Sequence, residues 1–457
     1  MPITLTNFVL HDIRFPTSKS LDGSDAMNAD PDYSAAYLRI ETSDPSLSGD
    51  AFVFTIGRGN EVQIQAIKIL VEKIAGIEIE HAFKNIGAIA KELSGDSQLR
   101  WLGADKGVFH MGAGAVLNAL WDLFAKSRGV PLWKLLASMS PEELVAAIDF
   151  RYITDALTVD EALAILRKAV PHRAANEALL LKEGVRAYTT TPGWLGYDDE
   201  MMLRLTQEAI ASGFGLVKYK CGRSLEDDRR RLTKIRDLVG PDFPIAIDAN
   251  QVWDVDVAIE WINSLKEFNL HWVEEPTHPD DVIGHARIAA AIAPTRVATG
   301  EHASSRIIFK QLLQANAIKV MQIDATRVAG VNENLANILL AAKYGVPVCP
   351  HAGGVGLCEV VQHLAMFDAI AVTGHHPHRV VEYVNHLHEH FQEPTQLLSG
   401  NYMPPKKAGA SSEMLQSSII EFEFPTGNYW RSPEGRSHAI ASEMTVDKAT
   451  EKDGANS

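Results

Sequence analysis

Residues 213–250 read GFGLVKYKCGRSLEDDRRRLTKIRDLVGPDFPIAIDAN. A short apolar run ends on Lys218 and Lys220, an amphipathic stretch fills 224–240, and a second apolar run ends on Asp248. Near-continuous apolar runs fit strands of a parallel sheet buried on both faces, and the amphipathic stretch between them fits a crossover helix. The same unit recurs outward in both directions. Apolar runs stand at VRAYTTT (185–191), LHWVEEP (270–276), RVATGE (296–301), AIKVMQIDA (317–325), GVPVCPHA (345–352) and RVVEYV (379–384). Eight strand-like runs within residues 185–384 predict a (β/α)8-type barrel. A doubly wound open sheet is the alternative, but no glycine-rich dinucleotide fingerprint follows any of the runs.

Upstream the rhythm differs. Short strand-like runs (AAYLRIET, 35–42; AFVFTIG, 51–57) surround a long polar loop at 15–34, and helical periodicity then holds from about 61 to 137. Strands followed by helices predict a separate α+β domain over residues 1–145. Residues 146–184 read as a connector with a helix at 159–183, and 185–400 as the barrel. The segment 401–457 is loop-rich with one apolar run at SSIIEFEFP (417–425), and turns polar and frayed after about 437.

The 457 residues are 46% hydrophobic and 22% charged, which supports a sizeable core, and carry a net charge of −15. That balance argues against nucleic acid or an anionic membrane as partner. It also makes a local pair of lysines notable: an acidic chain that converges cations is handling an anion there. Three scattered cysteines (Cys221, Cys349, Cys358) form no disulfide framework and fit a reducing compartment. The first residues lack the pattern of a signal peptide, and no uninterrupted apolar stretch reaches membrane-spanning length. A soluble, cytoplasmic protein is expected.

In such a barrel the chemistry sits at the C-terminal ends of the strands. Successive ends here carry Lys218 and Lys220, Asp248, Glu274, Glu301, Asp324, His351 and Glu382. Asp248, Glu274 and Glu301 are 26 and 27 residues apart, about one strand–helix unit each. Three oxygen ligands from adjacent strands suit octahedral Mg²⁺, and without a cation they would repel one another. Asp324 and His351, again 27 residues apart, predict an oriented acid/base pair. Lys218 and Lys220 share one face of a strand, about 7 Å apart. Like-charge repulsion predicts a lowered pKa, with Lys220 as a neutral base and Lys218 as its perturber. The histidine-rich stretches HHPH (375–378) and HLHEH (386–390) lack the ordered spacing of a tetrahedral zinc site and read as a face near the eighth strand.

The motifs VKYK, IDANQVW, WVEEPT, ATGEH, QIDATRVAGV and PHAGGVGL together resemble the barrel of the enolase superfamily, in its mandelate-racemase-like branch. Further blocks, among them FPTSKSLDGSDAMNADPDYSAAY, FTIGRGNE, GDSQLRWLGADKGV, IDFRYITDALT, AYTTTPGWLGY and VNHLHEHF, resemble the L-fuconate dehydratases of that superfamily, with the L-galactonate dehydratases sharing many of them. The resemblance implies an α/β fold in which a modified TIM barrel carries an N-terminal α+β capping domain completed by the C-terminal segment. It implies Mg²⁺ held by Asp248, Glu274 and Glu301, and an acid-sugar substrate. Lys220, assisted by Lys218, would remove the C2 proton. His351, held by Asp324, would protonate the departing 3-hydroxyl, leaving an enol that ketonises to a 2-keto-3-deoxy sugar acid. Glu382 would hydrogen-bond the substrate carboxylate or enediolate, and so be protonated. Asp25 and Tyr33 in the capping loop, and Tyr188 on the first barrel strand, are candidates for reading sugar hydroxyls. Racemisation or epimerisation is the alternative for the same site. Exposed barrel faces in this family commonly associate, so a homo-oligomer is expected.

Overall fold

The computed structural model of the chain describes residues 2–374, 376 and 378–439. Three antiparallel strands, β1 (Leu5–Arg14), β2 (Ser34–Thr42) and β3 (Ser48–Thr55), form the N-terminal sheet. Helices Asn60–Val71 and Gly107–Ser127 pack beside it. Gly107–Ser127 is long and apolar enough to cross a bilayer by length and composition, yet 83% of its apolar window is buried inside the protein. It is apolar nearly all round because it lies between β3 on one side and the barrel helix Gly330–Tyr344 on the other.

The barrel opens with β4 (Val185–Thr189), β5 (Val217–Lys220), β6 (Ile245–Asp248), β7 (Trp272–Glu274), β8 (Arg296–Thr299) and β9 (Val320–Met321), paired in parallel in that order. Val348 bridges Met321, and β10 (Val381–Tyr383) returns to pair with β4. The Glu382 amide donates to the Pro350 carbonyl at 3.0 Å, closing the ring. The eight positions match the eight apolar runs of the sequence, and the architecture is the expected capped α/β barrel.

Alternate residues of each strand face inward, and height along the strand decides their character. Tyr188, Leu216, Ala246, Trp272, Ala298, Val320 and Cys349 make an apolar floor inside the barrel. Two residues further along β5, β6 and β7 the same face carries Lys218, Asp248 and Glu274. One ring therefore changes from packed core to chemical site within a single strand step of about 7 Å.

Two boundaries differ from expectation. The helix predicted at 159–183 is two helices, Val159–Ala169 and Arg173–Glu183, separated at Pro171, whose ring and missing N–H interrupt the ladder. The second packs against the barrel helix Leu357–Ala371, so this connector belongs to the outer helical layer. The chain also leaves the barrel later than residue 400. A hairpin, β11 (Gln396–Leu398) and β12 (Asn401–Met403), adds antiparallel to the start of β4. Beyond the hairpin the segment runs along the cap, with the Pro405 carbonyl accepting from Trp133 Nε1 at 3.0 Å, the Gly409 amide donating to Val130 and the Ala410 amide to Asp122. His438 docks on Asp32 at 2.8 Å, and residues 440–457 of the expected frayed tail lie outside the described residues.

Candidate active site

Asp248 and Glu274 stand side by side because β6 and β7 pair in register at those residues. Glu301 follows the end of β8, and each of the three offers a carboxylate oxygen within 4.8 Å of the others. All three are buried. Burial and repulsion from neighbouring carboxylates push Glu274 and Glu301 up, while Lys220 and Lys218 overcome burial and hold Asp248 well down. Glu301 Oε2 is buried without a hydrogen-bond partner. An all-oxygen donor set, an excess of negative charge and an unsatisfied carboxylate oxygen fit a hard divalent cation such as Mg²⁺.

The lysines depart from the like-charge expectation. Lys218 Nζ is ion-paired to Glu274, to Glu382 at 2.9 Å and to Asp248 at 3.4 Å, and Lys220 Nζ donates to Asp248 at 2.6 Å. Burial works against both charges, and Lys218 does push Lys220 down. Asp248, Asp25 and Glu301 outweigh these effects at Lys220, and Glu274 and Glu382 do so at Lys218, so both ammoniums are favoured. Strand spacing reveals the neighbouring ammonium but not the carboxylates that face it.

Asp324 holds His351 in place, with Nδ1 to Oδ2 at 2.8 Å. The other imidazole nitrogen, Nε2, lies 3.5 Å from Glu301 and 3.8 Å from Glu382. Burial disfavours the imidazolium, but Glu301, Asp324 and Glu382 outweigh it and push the ring to about 10. Glu382 was expected to be protonated. Burial favours that, yet Lys218, His351, the Thr190 hydroxyl and the Ala352 amide overcome it and hold the carboxyl below the usual range. Glu382 is therefore an acceptor and counter-ion.

A cavity of about 360 Å³ opens above this ring and is bordered by Lys220, Glu301, His351 and Glu382 from the barrel and by Asp25 and Tyr33 from the cap. Asp25 is largely committed to its own loop, where Oδ1 accepts from Met27 N at 2.7 Å and Asn28 N at 2.6 Å. The Tyr33 ring is edge-on to Phe54 and stacked on His386, and its hydroxyl lies over Gly23, where a Cβ would come within 2.3 Å of that oxygen. Lys218, Asp248, Glu274 and Asp324 lie beneath or behind the lining.

Tyr188 is not brought to the cavity. It is fully buried in the floor layer, edge-on to Trp272, with Lys218 Nζ 5.6 Å above its ring. The residue that reaches the ring here is Thr190, just past the end of β4, whose hydroxyl bonds Glu382. Trp194 was also missed, although its place just beyond a strand end was a usable signal; Lys220 Nζ sits 5.6 Å from its ring. Arg327, three residues past Asp324, offered the same signal. Phe54 and Met111 reach the cavity from the cap, and no local pattern marks them. In the histidine-rich stretches, His388 pairs with Glu359 and His390 with Ser418, while His375 lies outside the described residues.

The family pattern described as "Enolase C-terminal domain-like" matches residues 201–418. The solved structure of human mitochondrial enolase superfamily member 1 has a TM-score of 0.93 and 47% identity, covering 94% of this chain and 98% of that one. The L-galactonate dehydratase of Hypocrea jecorina is 47% identical over 428 residues, 93% of this chain and 94% of its own. The L-talarate/galactarate dehydratase of Salmonella typhimurium LT2, solved with Mg and L-lyxarohydroxamate, has a TM-score of 0.70 at 26% identity and covers 92% of both chains.

Proposed function

The chain belongs to the enolase superfamily, and from that premise we propose that it is an Mg²⁺-dependent acid-sugar dehydratase whose substrate is L-fuconate. The observation that carries the reading is one cavity with Lys220 and an Asp324-oriented His351 on its walls, directly over a three-carboxylate cluster. Asp248, Glu274 and Glu301 would hold Mg²⁺, which would supply positive charge for the substrate carboxylate and compete with the lysines for Asp248 and Glu274.

Lys220, which would give up Asp248 and favour the neutral amine with the cation bound, takes the proton from C2, and the electron pair moves onto the substrate carboxylate as an enediolate. This pair then returns to form the C2–C3 double bond as the bond from C3 to its hydroxyl breaks. His351, charged and held through Nδ1, gives the Nε2 proton to that hydroxyl, which leaves as water. Lys218, buried under the site, opposes negative charge developing on the substrate carboxylate. Glu382 fixes Lys218 and the His351 side of the cavity. The enol then ketonises to 2-keto-3-deoxy-L-fuconate.

A second reading, L-galactonate as substrate, is favoured by the 47% identity to the L-galactonate dehydratase over nearly the whole chain. A panel of acid sugars with Mg²⁺, each assayed for 2-keto acid by semicarbazone absorbance, tests both readings. A highest kcat/KM with L-fuconate supports the first, and with L-galactonate the second. Absence of keto acid from every sugar, with Mg²⁺ binding demonstrated, overturns the dehydratase reading.

A further inference from the structure

Arg231 lies on the helix Leu225–Val239 that follows the lysine strand, outside the cavity, and is only 5% exposed. Among the described residues no carboxylate is within ion-pairing distance of its guanidinium. Instead it donates from Nη1 to the Lys220 carbonyl at 3.1 Å, and from Nη2 to the carbonyls of Gly193 and Trp194, each at 3.1 Å. Nε points to Met202 Sδ at 3.4 Å. Burial disfavours this charge, Asp227 and Asp228 on the same helix favour it from beyond contact distance, and the three backbone acceptors supply its direct oxygen contacts.

Those acceptors join two pieces of the site. Lys220 is the base of the proposed reaction. Residues 190–197 follow β4 and include the single turn Thr191–Gly193, and several of their bonds run to the site or the capping loop. Thr190 bonds Glu382, the Leu195 amide donates to Ser24 O at 3.1 Å, and the Gly196 amide donates to Ser24 Oγ at 2.8 Å. Ser24 is next to Asp25. The loop also presses directly on the lysine strand, since a Cβ on Gly193 would lie 2.2 Å from the Lys218 carbonyl oxygen. Two independent devices thus seat this loop on β5: a glycine that allows the approach, and a three-way arginine clamp.

We propose that Arg231 is a positioning residue that locks the Lys220 backbone to the 190–197 loop, so that the base, Trp194 and the seat of the capping loop keep one fixed geometry. This rests on the role given above to Lys220. A displacement of about 1 Å at a reacting group costs on the order of 10²-fold in rate, so a clamp outside the cavity is enough to matter.

The test compares Arg231→Lys, Arg231→Gln and Gly193→Ala with Arg236→Lys. Arg236 is on the same helix and also donates to backbone carbonyls, of Gly240, Phe243, Phe268 and Asn269, but has no bond to the loop. Hydrogen–deuterium exchange on the unliganded protein should rise about tenfold in peptides covering 190–197 in the three test variants and not in Arg236→Lys. In the same three, kcat should fall at least about tenfold while Mg²⁺ affinity stays within about twofold of the parent. Gly193→Ala disturbs the seat with the arginine intact, which keeps the test decisive should Arg231 variants not fold. Unchanged exchange at 190–197, an equal rise in Arg236→Lys, or raised exchange with undiminished kcat each overturns the proposal. If the parent enzyme turns over no acid sugar, the dehydratase reading fails and the exchange arm alone still decides whether the clamp exists.

Discussion

Asp324 divides its carboxylate between two tasks, with Oδ1 accepting from the amides of Thr326 at 2.6 Å and Arg327 at 3.0 Å, and Oδ2 facing His351 Nδ1 at 2.8 Å. The first pair anchors the carboxylate, and the remaining oxygen dictates which imidazole nitrogen faces the cavity. Asp324→Asn can keep the amide contacts but presents an NH₂ to Nδ1, favouring the wrong tautomer. Elimination should fall by about 10²- to 10⁴-fold, the usual worth of a positioned acid. Exchange of the C2 proton with solvent, followed by NMR in D₂O, should survive because it depends on Lys220. Loss of both together would show that the two groups do not act separately.

Lys218 neutralises part of the metal cluster, through Glu274, Glu382 at 2.9 Å and Asp248 at 3.4 Å. Lys218→Met leaves those carboxylates more negative. Mg²⁺ should bind the variant up to about tenfold more tightly by calorimetry, equivalent to about 1.4 kcal/mol, even as turnover collapses. Weaker binding would mean that Lys218 serves to shape the ligands rather than to compete with the ion.

Glu333 joins cap to barrel. It is buried and accepts from His110 Nε2 at 2.6 Å, the Arg306 amide at 2.8 Å, Arg306 Nη1 at 3.0 Å and the Ala329 amide at 2.7 Å. Burial opposes its charge, but His110 and Arg306 outweigh it and hold the carboxyl well below its usual range. A depressed folded-state pKa stabilises fully above the unfolded value of about 4.3 and is lost as pH falls below it. Glu333→Gln should lower unfolding free energy by about 3–5 kcal/mol at pH 7. The gap to the parent in urea titrations should narrow below about pH 4.3; a gap independent of pH would rule out the charge as its source.

Tyr188 belongs to the floor rather than the cavity, and its hydroxyl is 3.4 Å from Gln322 Nε2. Tyr188→Phe should leave KM for the acid sugar within about twofold and lower stability by no more than about 1.5 kcal/mol, the worth of one hydrogen bond. Trp194→Ala, which opens the cavity wall beside Lys220, should raise KM. A Tyr188→Phe variant with sharply raised KM would mean the hydroxyl reaches substrate after all.

The barrel was legible because its signal is local and repeated. Each strand is an apolar run, each helix an amphipathic one, and β6 and β7 pair in register, so charges written at strand ends must converge. Asp248, Glu274 and Glu301, and the Asp324–His351 pair, could be placed on one ring from spacing alone. Height within the barrel was harder to read. Tyr188 is on β4 and Thr190 just past its end, and only the edge-on contact of Tyr188 with Trp272 shows which belongs to the floor.

What the amino-acid order determined by itself was the alternation of buried strand and covering helix, and with it the ring of lysines, carboxylates and histidine. Those depend on periodicities of two and 3.6 residues and on unit length, which are properties of neighbouring residues. The tertiary structure decided the charge states and the walls. Asp248, from the next strand, favours the charged form of Lys220, and Lys218, two strands away, favours the charged form of Glu382. The cavity is closed by Tyr33 and Phe54 of another domain, and the Arg231 clamp joins three carbonyls from two segments. Electrostatic and packing energies depend on distance in space, and sequence separation carries no record of which distant groups will meet.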